Sequence, residues 1–246
     1  MKYLFTFLLT LQLIGLEPLV VGTSSGYAPY VSVNGEGQFE GFDVDFAEEL
    51  GKKLNRKVVL KDLGSMPSLL LGLEQKKVDL VIWAVSITDD RMKKMEMVYY
   101  QGEKVNEMPF LFWKEIPDGI REIEDLGKGK FKVSVEAGTF QENVIKKYPE
   151  VQTKQVEKIT DAVMEIRYGK SSAAMVDPSL VSKLMDRHPE IKVLYLSLKP
   201  EDYAMGNGIC IDKGNEKLIK EVKKATSELI AEKRVAELEK KWKMVR

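Results

Sequence analysis

Short apolar runs alternate with amphipathic stretches through the first part of the chain. Three short runs are almost uniformly apolar, which predicts buried strands at residues 19–22, 58–60 and 78–82. Apolar residues that recur every fourth position, with charged residues between them, predict an amphipathic helix containing Phe42, Phe46, Leu50 and Leu54. A shorter helix is predicted over 68–75. This alternation of strands and helices predicts an α/β layer with a mainly parallel sheet.

The same alternation begins again in the second part of the chain. Strands and helices are predicted in turn at 131–135, 140–148, 160–168, 172–176 and 178–185. Thr160 is predicted to cap the helix that it begins. Two extended apolar segments, 108–113 and 208–211, are placed to carry the chain into this second half and back. The charged tail 215–246 keeps an apolar stripe, which favours two helices packed on the first half over a basic interaction arm.

The composition is that of a folded protein, and it removes several classes of function. Of the 246 residues 44% are hydrophobic, and 38 basic residues balance 38 acidic ones, so the basic excess of a sequence-blind nucleic-acid binder is missing. One cysteine, Cys210, and one histidine, His188, exclude an intrachain disulfide, a thiolate zinc cluster and a metal site of several imidazoles. We therefore predict no metal, no cofactor and no nucleic-acid partner.

The first residues of the chain form a separate segment. Lys2 precedes an uncharged stretch at 3–16, which is shorter than the roughly 20 residues that span a bilayer and matches the apolar region of a secretory signal. We predict a signal peptide over 1–16 and a periplasmic or otherwise extracytoplasmic protein. A buried first helix or an uncleaved anchor is the alternative. No cysteine lies in this segment, so a lipid-anchored form is not expected.

Polar residues follow four of the predicted strands directly. Ligands of open α/β sheets bind just beyond the carboxyl ends of strands. The four sets contain one anchoring cation, one anion, several hydroxyl groups and a helix N-terminus, and they lie at 23–30, 83–91, 136–141 and 177–178. Together these groups are complementary to a zwitterion.

Each of these residues also has an ordinary structural explanation. Thr88 is predicted to cap a helix with Arg91 in its first turn, where a cation opposes the helix dipole, so Arg91 either clamps a carboxylate or is an ordinary surface residue. Asp177 precedes a proline, as an N-cap does. The glycine turn at 138–139 leads into a helix whose free N–H groups suit an anion. Two aromatic residues fit a hydrophobic core equally well, namely Tyr27 and Trp83.

The run at 41–50, Gly-Phe-Asp-Val-Asp-Phe-Ala-Glu-Glu-Leu, resembles the signature of the extracellular solute-binding proteins of polar amino-acid ABC transporters. Further pieces resemble the same family in the family's order, at 22–30, 86–91, 136–141, 176–177 and 208–215. The resemblance covers about 19–242. It implies a two-lobed periplasmic-binding-protein fold of type II, in which each lobe is a mainly parallel sheet flanked by helices and two crossover strands join the lobes. It also implies a free amino acid as ligand and a membrane permease as partner, and we expect a monomer.

The resemblance implies roles for individual residues in binding the amino-acid backbone. Arg91 resembles the residue that grips the ligand α-carboxylate. Ser86 and the N–H groups of Thr139 and Phe140 are expected to assist it. Asp177 resembles the acceptor for the α-ammonium group.

The residues around the ligand side chain are less typical of the family. Tyr27 matches an aromatic residue that stacks on the ligand, and Gln141 completes the expected binding set. Four positions depart from the family's usual residues and leave the choice of ligand open, namely Ser24, Met66, Trp83 and Ala84. Glu136 is expected to face the far end of the ligand, where an unpaired carboxylate favours a cationic side chain, arginine first and lysine second. The alternative is that Glu136 points to solvent or pairs with a lysine.

We expect lobe 1 to comprise 17–106 and 206–246 and lobe 2 to comprise 107–205, with the hinges near 105–110 and 199–205. The expected function is that of a non-enzymatic receptor. One alternative is an enzyme on the same fold, similar to the cyclohexadienyl dehydratases, with Glu136 as general acid. Another is a binder of glutamine or a further uncharged polar amino acid. A ligand-sensing receptor module is not expected, because no membrane segment precedes the end of the chain at Arg246.

Overall fold

The computed structural model describes residues 17–244, and the signal peptide predicted at 1–16 lies outside them. The first half contains β1 (Leu19–Thr23), β2 (Ser32–Val33), β3 (Phe39–Glu40), α1 (Phe42–Leu54), β4 (Val58–Asp62), α2 (Met66–Glu74), β5 (Leu80–Val81), α3 (Asp89–Lys94) and β6 (Glu96–Val105). The second half contains β7 (Glu107–Trp113), α4 (Ile123–Lys128), β8 (Lys132–Glu136), α5 (Phe140–Ile145), β9 (Gln152–Val156), α6 (Ile159–Arg167), β10 (Ala173–Met175), α7 (Val181–Arg187) and β11 (Ile191–Ser197). The chain then returns to the first half with β12 (Ala204–Ile211), α8 (Glu216–Ala231) and α9 (Arg234–Lys241).

Ten strands form two five-stranded sheets, in the orders β4-β1-β5-β12-β6 and β11-β7-β10-β8-β9, and β2 and β3 form a separate antiparallel pair. In the first sheet β1 pairs in parallel with β4 and β5, and β12 pairs antiparallel with β5 and β6. In the second sheet β8 pairs in parallel with β9 and β10, and β7 pairs antiparallel with β10 and β11. The predicted α/β fold class is confirmed. In these two sheets antiparallel pairs are as frequent as parallel ones, because the strands that leave and re-enter a sheet run in opposite directions.

The chain passes between the two sheets twice. It leaves the first sheet between β6 and β7, at Asn106, and returns between β11 and β12 through a 3₁₀ turn at Pro200–Asp202. The last residue of β6, Val105, pairs with the first residue of β12, Ala204. The two crossing segments therefore lie side by side. We propose two lobes, with lobe 1 formed by 17–106 and 206–246 around the first sheet and lobe 2 by 107–205 around the second. The first two residues of β12, Ala204 and Met205, already pair with β6 of the first sheet and lie at this boundary.

The predicted amphipathic helix forms as α1, and it buries the side chains of Phe42, Phe46 and Leu50 completely. Helix α2 begins at Met66, earlier than predicted, because the Ser65 hydroxyl accepts a hydrogen bond from an N–H of its first turn. The predicted cap at Thr160 is wrong. Helix α6 already begins at Ile159, whose buried side chain joins the core, so Thr160 lies inside the helix.

The tail packs on the first half as a pair of helices, as predicted. Helices α8 and α9 both contact α1, and α8 also covers β6. The apolar stripe of α8 is buried at Leu218, Val222 and Leu229. The indole Nε1 of Trp242 donates a hydrogen bond of 2.7 Å to Asp45 of α1 and fixes the end of the tail. No helix within 17–244 is long and apolar enough to cross a membrane.

The start of α1 depends on a close backbone approach at Gly41. The N–H groups of Phe42 and Asp43 donate to the carbonyls of Pro29 and Tyr30, each at 3.0 Å. Gly41 has φ 138°, and a Cβ atom there would lie 2.0 Å from the Tyr30 oxygen. A side chain at position 41 would therefore push α1 away from the loop before β2 and break these two hydrogen bonds.

We expect Gly41→Ala to lower the free energy of unfolding by about 3 kcal/mol, because it combines backbone strain with the loss of these two hydrogen bonds. Urea denaturation followed by circular dichroism measures the change. Gly35→Ala is the control, since Gly35 has open space around it. Equal stability of the two variants would contradict the close approach as a requirement of the fold.

Candidate functional site

A small cavity lies between the lobes. Ten of the twelve residues predicted for the site line it, namely Tyr27, Met66, Trp83, Ala84, Ser86, Arg91, Thr139, Phe140, Gln141 and Asp177. The lobes are in contact here, because a Cβ atom on Gly138 of lobe 2 would lie 2.9 Å from Pro67 of lobe 1. Larger grooves are present on the outer surface, but the one beside α1 and α8 is lined mainly by lysine and glutamate side chains and is open to solvent.

Arg91 is buried at the cavity with only 5% of its surface exposed, so the alternative of an ordinary surface arginine is wrong. Helix α3 holds it in the first turn, where its N–H donates to the capping hydroxyl of Thr88 at 3.4 Å. Its Nη1 donates to the Ser86 carbonyl at 2.8 Å, and its Nη2 donates across the cleft to the Gly138 carbonyl at 3.0 Å. Among the residues of 17–244 it forms no salt bridge, and burial lowers its pKa.

Asp177 lines the cavity from lobe 2 and caps the 3₁₀ turn at Pro178–Leu180. Its Oδ1 accepts hydrogen bonds from the N–H of Ser179, at 2.9 Å, and from the Ser179 hydroxyl. Gln141 lines the cavity beside the same carboxylate and tends to lower its pKa. Burial raises the pKa of Asp177. The predicted capping role is therefore real, and it fixes the carboxylate at the cavity wall.

The start of α5 presents backbone donors at the cavity. Thr139 caps this helix, and its hydroxyl also donates to the Glu136 carbonyl at 2.6 Å. The N–H of Gly138 is taken by the Glu142 carboxylate at 2.6 Å. The N–H groups of Thr139 and Phe140 have no acceptor within the described range. Two backbone donors are therefore available at the wall that also receives Arg91.

Two aromatic rings form one wall of the cavity. The ring centroids of Tyr27 and Trp83 are 4.9 Å apart, and both residues are buried. The indole Nε1 of Trp83 donates to the backbone carbonyl of Ser24 at 2.8 Å. Ser24 thus orients the indole through its carbonyl and is not among the residues that line the cavity. Met66, the first residue of α2, adds an apolar surface.

Glu136 ends β8 and has only 6% of its surface exposed, so the alternative that it points to solvent is wrong. It is not among the lining residues, but its charge adds to the raised pKa of the neutral Tyr27 hydroxyl and it is repelled by Asp177, and both of these residues line the cavity. Burial raises the pKa of Glu136 to about 8, and repulsion from Asp161 and Asp177 adds to this. The positive charge of Lys158 acts in the opposite direction and lowers the pKa of Glu136. In the part of the chain that the structure describes, no side chain donates a hydrogen bond to this carboxylate.

Asp43, in the first turn of α1, is a buried residue near the site that was not predicted from the sequence. Only 2% of its surface is exposed, and its carboxylate accepts hydrogen bonds from the N–H of Ala84 and the hydroxyl of Tyr100. Burial raises its pKa to about 7. Its position next to the apolar Phe42 could have indicated that Asp43 is buried. A charged residue in the first turn of a helix is usually exposed, however, so burial was not predicted.

The cavity therefore combines a buried cation from lobe 1, a carboxylate from lobe 2, an aromatic wall and two backbone donors without an acceptor among the described residues. A second buried carboxyl group, that of Glu136, lies behind this wall. This set can hold a small zwitterion and shield it from water. Within residues 17–244 no group of three or more His, Cys, Asp or Glu side chains is arranged to hold a metal ion.

Comparison with known proteins gives a match over nearly the whole chain. The sequence profile of the bacterial extracellular solute-binding proteins, family 3, matches residues 19–245. The probable ABC transporter arginine-binding protein ArtJ of Chlamydia trachomatis is 30% identical over 227 residues, which are 92% of this chain and 86% of that protein. The ABC transporter glutamine-binding protein GlnH of Bacillus subtilis is 25% identical over 84% of this chain and 73% of its own length.

A solved structure agrees with these sequence matches. An ancestral arginine-binding protein bound to arginine superposes with a TM-score of 0.80 at 26% identity, and the match covers 92% of this chain and 97% of that one.

Proposed function

The chain belongs to family 3 of the bacterial extracellular solute-binding proteins, and we propose that it binds a free amino acid between its lobes and delivers it to the permease of an ABC transporter. The observation that carries this proposal is the buried Arg91, which has no acidic partner among the described residues and faces the same cavity as Asp177. We further propose that it acts as a monomer outside the cytoplasm, with 1–16 as its signal peptide. The dehydratase alternative is not proposed, because the family is one of solute-binding proteins.

Recognition of the amino-acid backbone follows from the charges at the cavity. A guanidinium can form two parallel hydrogen bonds with a carboxylate, and only two of its five donors are occupied by carbonyls within the described residues. The N–H groups of Thr139 and Phe140, which have no acceptor among the described residues, complete the carboxylate site. Asp177 accepts the α-ammonium group. A micromolar affinity requires about 8 kcal/mol, which a few charge-assisted hydrogen bonds and aromatic contacts can supply.

Recognition of the side chain rests on Glu136 and favours arginine, with lysine second. Glu136 is a buried carboxyl group without a hydrogen-bond donor in the described part of the chain. A cationic side chain would supply the missing partner, and the rings of Tyr27 and Trp83 could stack on a guanidinium. The names of ArtJ and of the ancestral protein support this choice, since both are described as arginine-binding.

Glutamine is the second candidate. Because burial raises the pKa of Glu136 to about 8, we expect it to be mainly protonated at pH 7 without ligand, and the proton could be donated to the oxygen of an amide. The relative GlnH is described as glutamine-binding. Arginine should therefore displace the Glu136 proton, whereas glutamine should retain it. Proton release on binding distinguishes the two ligands experimentally.

We expect Arg91→Lys to weaken the binding of every amino-acid ligand by roughly 2–4 kcal/mol, because lysine keeps the charge but loses the paired geometry. Isothermal titration calorimetry with arginine and glutamine measures the loss. Arg121→Lys is the control, since Arg121 is exposed and distant from the cavity residues in sequence. Unchanged affinity in Arg91→Lys would remove Arg91 from the binding site.

We expect arginine, but not glutamine, to displace the Glu136 proton on binding. The raised pKa keeps Glu136 protonated below about pH 8, and a guanidinium beside it favours the ionised form. Arginine affinity should therefore rise between pH 6 and pH 8, and calorimetry in buffers of different ionisation enthalpy should show release of up to one proton at pH 7.

Glu136→Gln keeps the shape of the side chain and removes the charge. It should abolish the proton release and weaken arginine binding more than tenfold while glutamine is spared. Asp161→Asn is the matched control, because Asp161 is an exposed carboxylate that acts on Glu136 only through its charge. Equal losses for arginine and glutamine in Glu136→Gln, or no loss for arginine, would contradict the cationic ligand.

A further inference from the structure

The backbone at Ala84 is in the left-handed region, with φ 44°, although the residue is not a glycine. An L-residue stays in this conformation only where its surroundings hold it there. Ala84 lines the cavity and follows Trp83, whose indole forms the aromatic wall. Two residues later the carbonyl of Ser86 accepts a hydrogen bond from Arg91. The turn at Ala84 therefore sets the directions of both the aromatic wall and the cation.

The N–H of Ala84 is held by a buried pair of side chains. It donates to Oδ2 of Asp43 at 2.8 Å and lies 3.2 Å from the hydroxyl oxygen of Tyr100. The Tyr100 hydroxyl donates in turn to Oδ1 of Asp43 at 2.7 Å. Asp43, Tyr100 and Ala84 are all buried, so water does not compete for these hydrogen bonds.

Asp43 is itself fixed on a rigid element. It lies in the first turn of α1, where its N–H donates to the Tyr30 carbonyl at 3.0 Å and the helix dipole favours a carboxylate. Tyr100 lies on the central part of β6, packed against the rings of Phe42 and Phe46. A buried carboxyl group costs free energy, and the raised pKa of Asp43 reflects that cost. Asp43 is nevertheless buried at a position where its carboxylate binds the N–H of Ala84, the residue with the strained backbone.

We propose that Asp43 is a positioning residue for ligand binding. By accepting the hydrogen bond from the Ala84 N–H, it holds the left-handed turn that places Trp83 and the Ser86–Arg91 pair around the ligand. Asp43 is not among the residues that line the cavity, so it acts through Ala84. The inference rests on the proposed function for the existence of an amino-acid ligand, but not for its identity.

The test is a double-mutant cycle, read by calorimetry with L-arginine and L-glutamine. Asp43→Asn keeps an acceptor for the Ala84 N–H and should bind within threefold of the wild type. Asp43→Leu keeps the approximate shape without an acceptor and should bind at least tenfold more weakly. Ala84→Gly should recover at least threefold of that loss, because glycine adopts a positive φ without restraint. Wild-type affinity in Asp43→Leu, or no recovery by Ala84→Gly, would overturn the proposal.

Asp79→Leu controls for general destabilisation. Asp79 also accepts a backbone N–H of lobe 1, that of Val20 at 2.9 Å, but it is not among the cavity residues. It should lower stability and leave arginine affinity within threefold. An equal loss of affinity in Asp79→Leu and Asp43→Leu would overturn the proposal.

A third substitution keeps the test valid if Asp43→Leu does not fold. Tyr100→Phe removes the hydroxyl that orients the carboxylate, and it should weaken binding about three- to tenfold in a way that Ala84→Gly recovers. Unchanged affinity in this variant would overturn the inference. If the wild-type protein binds neither amino acid, the proposed function fails as well. If the wild-type protein binds its ligand but the substitutions at Asp43 and Ala84 show no coupling, only the inference about Asp43 is overturned.

Discussion

The site depends on one constraint, a buried guanidinium that has no acidic partner within residues 17–244. Arg91 is closed off from solvent, and within the described residues its charge is met by two carbonyl oxygens, one from each lobe. Carbonyl dipoles replace only part of the hydration that a buried cation loses. An anionic ligand group would supply the rest, so ligand binding and contact between the lobes are favoured by the same charge. The hydrogen bond to Gly138 makes this coupling direct.

The fold explains why such different groups meet in one small cavity. Tyr27, Trp83 and Ser86 follow strands of the first sheet, and Thr139 and Asp177 follow strands of the second. The carboxyl ends of these strands face the same space, because β6 and β12 lie side by side where the chain passes between the lobes. The groups at the cavity are therefore supplied by loops, whereas the sheets and α1 fix where each loop begins.

The sequence predicted those features that depend on local spacing. The period of α1, the cap at Thr88 and the cap at Asp177 follow from residues a few positions apart, and the structure shows all three. Burial of charged groups could not be predicted in this way, because it depends on contacts across many residues. Asp43 meets Ala84 and Tyr100 through such contacts, and the left-handed turn at Ala84 has no glycine to reveal it. The start of α6 was misplaced because burial of Ile159 outweighs the capping preference of Thr160.

The central claim is that the cavity orients a cationic amino acid with its α-carboxylate on Arg91 and its side chain toward Glu136. A crystal structure of the complex with L-arginine tests it most directly. We expect two hydrogen bonds between the ligand carboxylate and the Arg91 guanidinium, and a ligand guanidinium in contact with both Glu136 and the rings of Tyr27 and Trp83. A ligand bound in the reverse orientation, with its guanidinium at Asp177 or directed to the mouth of the cleft, would contradict it.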